Sequence, residues 1–223
     1  MSFESIDGTV VAVDGPAAAG KTTASLRLAR AFGMSYLESG RAYRVLAYEA
    51  LRNNINPTDQ AAMLALCAAV GGRSRAELLG LNRYTSGELR TTEVGRVVSA
   101  VAKIAELRTR VTNTLRAWAA GNRRSIVEGR DIGTVVFPSA ALKFYLTASV
   151  ETRAARRVAQ EESGTYQEVL ADVLRRDQAD LTRAASPLRQ APDAILIDTT
   201  TLTVDQVVDR MSHRCRDVGL TVP

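Results

Sequence analysis

The chain has 223 residues, 46% hydrophobic and 24% charged, which excludes wholesale disorder and is enough for one large domain with a real core. Its 29 lysines and arginines exceed its 24 acidic residues, giving a net charge of +5, yet only Lys21, Lys103 and Lys143 are lysine. The single histidine, His213, excludes a metal centre built on several histidines and any mechanism that needs two.

Thr9–Val13 is short, apolar and β-branched, the pattern of a buried strand. A Gly/Ala turn leads into a helix over Lys21–Phe32 with apolar Leu26, Leu28, Ala29 and Phe32. Ser35–Leu37 is a second strand and Arg41–Arg52 a second helix. Thr58 or Asp59 can cap a third helix running to about Val70. Gly71–Gly87 holds four glycines and little periodicity and is expected to be irregular or weakly β-structured. Thr91 or Thr92 can cap a long helical stretch to about Ala120, broken near Ala105. Strands are expected at Ser125–Val127, Leu142–Leu146 and Ala194–Ile197. Helices are expected at Val150–Glu162, from Tyr166 into the arginine-rich run before Ala185, and at Val204–Arg216. Lys143 is expected to face solvent at a strand edge. Strands alternating with helices imply an α/β fold, a five-stranded parallel sheet flanked by helices.

Cys67 and Cys215 are too few to make a disulfide framework in a chain this long. No stretch approaches the roughly 20 apolar residues that span a bilayer. The N-terminus has no basic region leading into an apolar core, so a cytoplasmic location is expected.

The first strand runs into Gly15-Pro16-Ala17-Ala18-Ala19-Gly20-Lys21-Thr22, the G-x-x-x-x-G-K-[ST] phosphate loop between a strand and a helix. Its two glycines let backbone N–H groups wrap phosphate oxygens, and the helix that follows adds its free N–H groups and dipole. Lys21 can reach the β- and γ-phosphates of a nucleoside triphosphate, and Thr22 can place a hydroxyl on Mg²⁺. No Asn-Lys-x-Asp guanine-reading motif is present, and the chain is short for an ATPase motor. Three further clusters mix arginine with carboxylate: Leu37–Arg44, Glu128–Pro138 and Arg175–Leu188. Arginine forks match phosphate oxygens, and carboxylates accept from sugar hydroxyls or base amines.

On EGRDIGTVVFP (Glu128–Pro138), TRAASPL (Thr182–Leu188), DAILIDTT (Asp193–Thr200), SGELRTTEV (Ser86–Val94) and the Tyr43-Arg44 pair, the chain resembles the bacterial cytidylate kinases, a nucleoside monophosphate kinase family. The resemblance runs from Val10 to about Met211. It implies a P-loop kinase domain spanning residues 1–223, with core 9–58 and 120–216, an acceptor-side insert over about 59–100 and a lid over about 164–186. The activity implied is transfer of the ATP γ-phosphate to CMP or dCMP with Mg²⁺. Gly15, Pro16, Ala17, Ala18, Ala19, Gly20, Lys21, Thr22 and Thr23 would cradle ATP, with Arg153, Arg156 and Arg157 on the ATP side. Arg44 and Arg130 would hold the acceptor phosphate. Ser39, Arg108, Asp131 and Arg183 would read cytosine, and Ser99, Arg176 and Asp180 would contact the ribose. Lys21, Arg130, Arg176 and Arg183 form the implied catalytic set. Thr22 would bind Mg²⁺, with Glu38 and Glu128 acting through water. The implied partners are small nucleotides, with no nucleic acid or membrane, and a monomer is expected.

Glu38 stands where the family usually has Asp, Arg41 where it has a small residue, and Ala18 where it has glycine; the segment Gly71–Gly87 is several residues short. An alanine at Ala18 is expected to keep a negative φ. Arg41 is expected to add a cation beside the acceptor phosphate. Two alternatives stay open. One is the same chemistry on another or a modified nucleoside monophosphate. The other is a nucleic-acid-binding P-loop protein, against which stands the lack of a basic run or aromatic platform.

Overall fold

The computed structural model describes residues 9–159 and 165–222. These divide into two compact units, one formed by the described residues of 1–38 and 121–223, the other by residues 39–120.

The first unit is built on strands β1 (Thr9–Asp14), β2 (Ser35–Glu38), β3 (Arg124–Gly129), β4 (Leu142–Thr147) and β5 (Ile195–Asp198), arranged β2-β3-β1-β4-β5. All neighbouring pairs are parallel, giving the expected five-stranded sheet. All six residues of the central strand β1 are buried. Helices α1 (Lys21–Phe32) and α10 (Val204–Asp217) share a core with the sheet. There Val11, Val13, Leu28, Phe32, Ile126, Phe144, Met211 and Cys215 come together. Burying a side chain such as Phe32 or Phe144 contributes about 1.5–3 kcal/mol. Cys215 is part of this core, and burial pushes its thiol up to about 12.

Helix α8 (Val150–Val158) starts at Ser149, whose side chain accepts the Thr152 N–H. Helix α9 (Tyr166–Thr182) starts at a capping box in which Thr165 and Glu168 satisfy each other's backbone N–H groups. The two helices pack through Ala154, Val169 and Val173. The last expected residues of α8, Gln160 to Glu162, and the start of the expected lid at Gly164 lie outside the described residues. The arginine-rich run continues as helix to Thr182, and Arg183 leaves it extended. Between β3 and β4, Ile132–Val136 form a π-helical turn.

The second unit holds α2 (Gly40–Arg52), α3 (Gln60–Arg73), α4 (Arg75–Leu78), α5 (Ser86–Leu89), α6 (Thr92–Val101) and α7 (Ala105–Ala120). Asp59 caps α3 and Thr91 caps α6, each one of the two residues expected for its helix. The break before Ala105 falls where the sequence placed it. The reading of Gly71–Gly87 is corrected, because α3 continues to Arg73 and α4 and the start of α5 occupy much of the rest. The cause is local capping. Ser74 accepts the Glu77 N–H, and Thr85 with Glu88 closes a capping box. Both follow the S/T-x-x-E pattern, which outweighs the glycines around them.

Candidate active site

In the first unit, β1 delivers the phosphate loop. Gly15 has φ +144°, and a Cβ there would lie 1.9 Å from the Leu146 carbonyl oxygen of β4. Ala18 has φ +58°, so the expected negative φ is overturned. The loop must turn its backbone left-handed at its midpoint, and the chain does so with a Cβ in place. For a residue with a side chain this costs about 1–2 kcal/mol. Ala18→Gly should relieve that strain, less about 0.4–1 kcal/mol for the freer unfolded chain. The net gain is about 0–1.6 kcal/mol, so the thermal midpoint is expected to rise by up to about 6 °C. A melting curve checks this, and a clearly lower midpoint refutes strain at Ala18.

The loop's carbonyls are braced from below. Lys21 Nζ donates to the Pro16 oxygen at 2.7 Å, Arg153 Nη1 to the Ala17 oxygen at 3.3 Å, and Thr199 Oγ1 to the Ala19 oxygen at 3.2 Å. Arg156 in turn donates to the Thr199 hydroxyl and carbonyl at 2.9 and 2.6 Å. Arg153 is buried, and its Nη2 pairs with Asp177 of α9 at 2.6 Å. It thereby joins the phosphate loop to the arginine-rich helix, while Arg157 lies half-buried one turn further along α8. Lys21 is buried too, and desolvation, then the Arg130 charge, holds its ammonium below the usual lysine range.

Beside the loop, Thr22 donates its hydroxyl to Glu128 Oε1 at 2.6 Å, and Tyr36 donates its phenol to the same oxygen. Glu128 Oε2 is buried and makes no hydrogen bond. Burial raises the Glu128 carboxyl above its ordinary value. Glu38 sits opposite Glu128 in the β2–β3 register. Tyr36 was not singled out from the sequence. Its place two residues before Glu38, on the same face of β2, was the available signal.

Four of the expected acceptor residues meet in this unit. Arg130 Nε donates to Asp180 Oδ2 at 2.7 Å, and Arg183 Nη1 donates to Asp180 Oδ1 at 3.3 Å. Arg183 Nη2 lies 3.7 Å from Asp131. Asp180 therefore bridges two arginines. Arg176 pairs instead with Asp172, one turn back on α9, at 2.7 Å. Lys143 corrects its expectation. Its strand β4 lies between β1 and β5 rather than at an edge, and the side chain is buried with Nζ bonded to Pro138 O and Asp193.

In the second unit, Arg108 is buried with its guanidinium over the Tyr43 ring, 5.2 Å from the centroid, and Nη1 on Ala102 O at 3.2 Å. Arg44 donates to the Leu89 carbonyl at 3.1 Å. Ser39 is buried just before α2, and Ser99 is half-buried on α6. Arg41 has partners that the sequence did not indicate. Its Nε donates to Gly80 O at 2.7 Å and its Nη2 to Tyr84 O at 2.6 Å. Gly80 has φ +71°, and a Cβ there would come within 2.9 Å of Arg41 Nε. Arg41 braces the turn at Gly80, through partners some 40 residues away.

The family model described as cytidylate kinase matches residues 11–217 of the chain. The chain belongs to the cytidylate kinase family. Similar relatives include a cytidylate kinase of Nocardia farcinica, 46% identical, with 92% of each chain covered. Another is a cytidylate kinase of Thermus thermophilus, 45% identical, with 89% of this chain and 94% of the relative covered. Among solved structures, an uncharacterized protein from Eubacterium ventriosum superposes with a TM-score of 0.55 at 11% identity, covering 93% of this chain and 98% of that one; it shares the fold. Cytidylate kinases are nucleoside monophosphate kinases, so the protein is an enzyme of that class with a P-loop nucleotide-binding fold. Among the described residues, no helix is long and apolar enough to cross a membrane.

Proposed function

We propose that the protein transfers the γ-phosphoryl group of ATP to CMP or dCMP. The observation that carries this reading is the single unit holding both a braced phosphate loop and the Arg130–Asp180–Arg183–Asp131 cluster. Lys21 and the loop N–H groups hold the β- and γ-phosphates. Arg153 and Arg157 serve the ATP side. Arg44 and Arg130 bind the acceptor phosphate. Asp131, Arg108, Ser39 and Arg183 read cytosine, and Ser99, Arg176 and Asp180 contact the ribose. We further propose residues about 59–100 as the acceptor-side insert and about 164–186 as a lid, in a cytoplasmic monomer.

The acceptor is already an oxyanion, so the transfer needs no strong base. Catalysis is positioning plus stabilisation of charge on the transferred group. Arginines and one lysine supply that, which accounts for a site without histidine. Asp180 accepts from both Arg130 and Arg183. Acceptor oxygens would replace its carboxylate there. Asp131 can accept from the exocyclic amine of cytosine and Arg108 can donate to its ring. Uracil would leave such groups unpaired.

Mg²⁺ fits this donor set. The Thr22 hydroxyl and the buried, unbonded Oε2 of Glu128 are hard oxygen donors, with Glu38 opposite. Among the described residues no group of three or more His, Cys, Asp or Glu side chains forms a metal cage. When bound at these oxygens, the ion would supply positive charge that offsets the negative charge developing during transfer.

A coupled assay of ADP release over CMP, dCMP, UMP, AMP and dTMP tests the reading. CMP and dCMP are expected to give the highest kcat/KM. A clear preference for a non-cytosine acceptor would overturn it in favour of the same chemistry on a different monophosphate.

A further inference from the structure

We propose that Asp14 is a positioning residue that locks the segment carrying Arg130 and Asp131 to the strand end that opens the phosphate loop. This rests on the reading of Arg130 and Asp131 as acceptor residues. Asp14 is the last residue of β1, directly before Gly15, and is only 4% exposed. Its carboxylate spans the start of the π-helical turn. Oδ1 accepts the Ile132 N–H at 2.8 Å and Oδ2 accepts the Gly133 N–H at 2.7 Å.

The first N–H groups of a helical turn have no partner inside it. Here two consecutive ones are met by one side chain, and Arg130 and Asp131 immediately precede them. A carboxylate offers one full acceptor oxygen to each; an amide offers only one oxygen in all. The five residues before it in β1 are buried, four of them apolar, and an apolar residue would serve the sheet equally well at this point. The charged group is held against a desolvation penalty that pushes its carboxyl up to about 6. Its two hydrogen bonds and Lys21 offset part of that penalty.

The contact is close from the other side as well. A Cβ on Gly133 would lie 3.4 Å from Asp14 Oδ2 and 3.1 Å from Lys143 Cδ. Lys143 is itself fixed by Pro138 O and Asp193. The loop is therefore clamped between two buried side chains, one from β1 and one from β4.

The test uses the full chain with two variants, Asp14→Asn and Gly133→Ala. Each is read by ATP Kd from calorimetry, by KM and kcat for CMP, and by amide hydrogen exchange at residues 132 and 133. In Asp14→Asn the loss of one charge-assisted bond is expected to raise KM for CMP and lower kcat by about tenfold in combination. ATP Kd should stay within about twofold, and exchange at the two amides should accelerate. Gly133→Ala should give the same split, more weakly, with the carboxylate retained. If Asp14→Asn fails to fold, Gly133→Ala decides alone. Parallel losses of ATP affinity and CMP use, or unchanged CMP kinetics in the folded variants, would overturn the proposal. Arg130→Ala separates it from the reading beneath it. Unchanged KM for CMP in that variant removes the acceptor assignment. A raised KM there beside normal Asp14→Asn kinetics removes only the role of Asp14.

Discussion

Lys21→Ala should fold and bind poorly to triphosphate, with phosphoryl transfer down by at least about 10²–10³-fold, the scale of losing one preorganised charge at the reacting group. Lys21 opens α1 directly after the loop, with its ammonium on the Pro16 carbonyl, a bond that phosphate oxygens would replace on the proposed reading. The fold should survive because the charge is held at a cost. Burial lowers the pKa of Lys21 from its ordinary 10.5. Between that lowered value and 10.5 the unfolded chain carries a proton that the folded chain lacks. The lysine's contribution to stability therefore rises with pH across this window and is least favourable below it. Melting curves at pH 7 and pH 9 should show the wild type gaining on the variant as pH rises. Near-normal turnover would refute the phosphate-loop assignment.

Gly15→Ala should be worse than an active-site lesion. The added methyl would sit 1.9 Å from the Leu146 carbonyl oxygen, and the backbone there has φ +144°. Neither side of that clash is a flexible side-chain end: one is the backbone just past β1 and the other the backbone of β4. The cost should exceed about 4 kcal/mol, the range reached when backbone strain and overpacking coincide. At about 2–4 °C per kcal/mol for a chain of this size, the midpoint should fall by about 10 °C or more. Thermal melting measures this directly. A variant that melts within a few degrees of wild type would mean that β4 can yield at Leu146.

The parallel sheet and the phosphate loop were legible because both are written locally. A β-branched run, a glycine-bounded turn and an amphipathic helix follow one another within Thr9–Phe32, and all three formed as read. The arginine and carboxylate clusters were legible as composition, and four of their members do meet. Features set by distant partners were not legible. Ala18 turns left-handed because the loop closes on itself, whatever residue occupies the position. Arg41 follows Gly80 and Tyr84, and Lys143 follows a strand order that puts β4 inside the sheet. The helices of residues 74–89 were a different failure. Their two S/T-x-x-E caps were local signals, masked by the weight given to glycine.

The register of the sheet also acts as a ruler. Asp14 stands opposite Gly129 in the parallel β1–β3 pair. The phosphate loop and the segment that begins with Arg130 thus leave the sheet side by side, one strand spacing of about 4.8 Å apart. That length is set by main-chain hydrogen bonds, among the least compliant distances in a protein. Side-chain repacking around Phe32, Phe144 or Met211 should alter how firmly the sheet is held together while leaving the gauge between those two strand ends almost untouched.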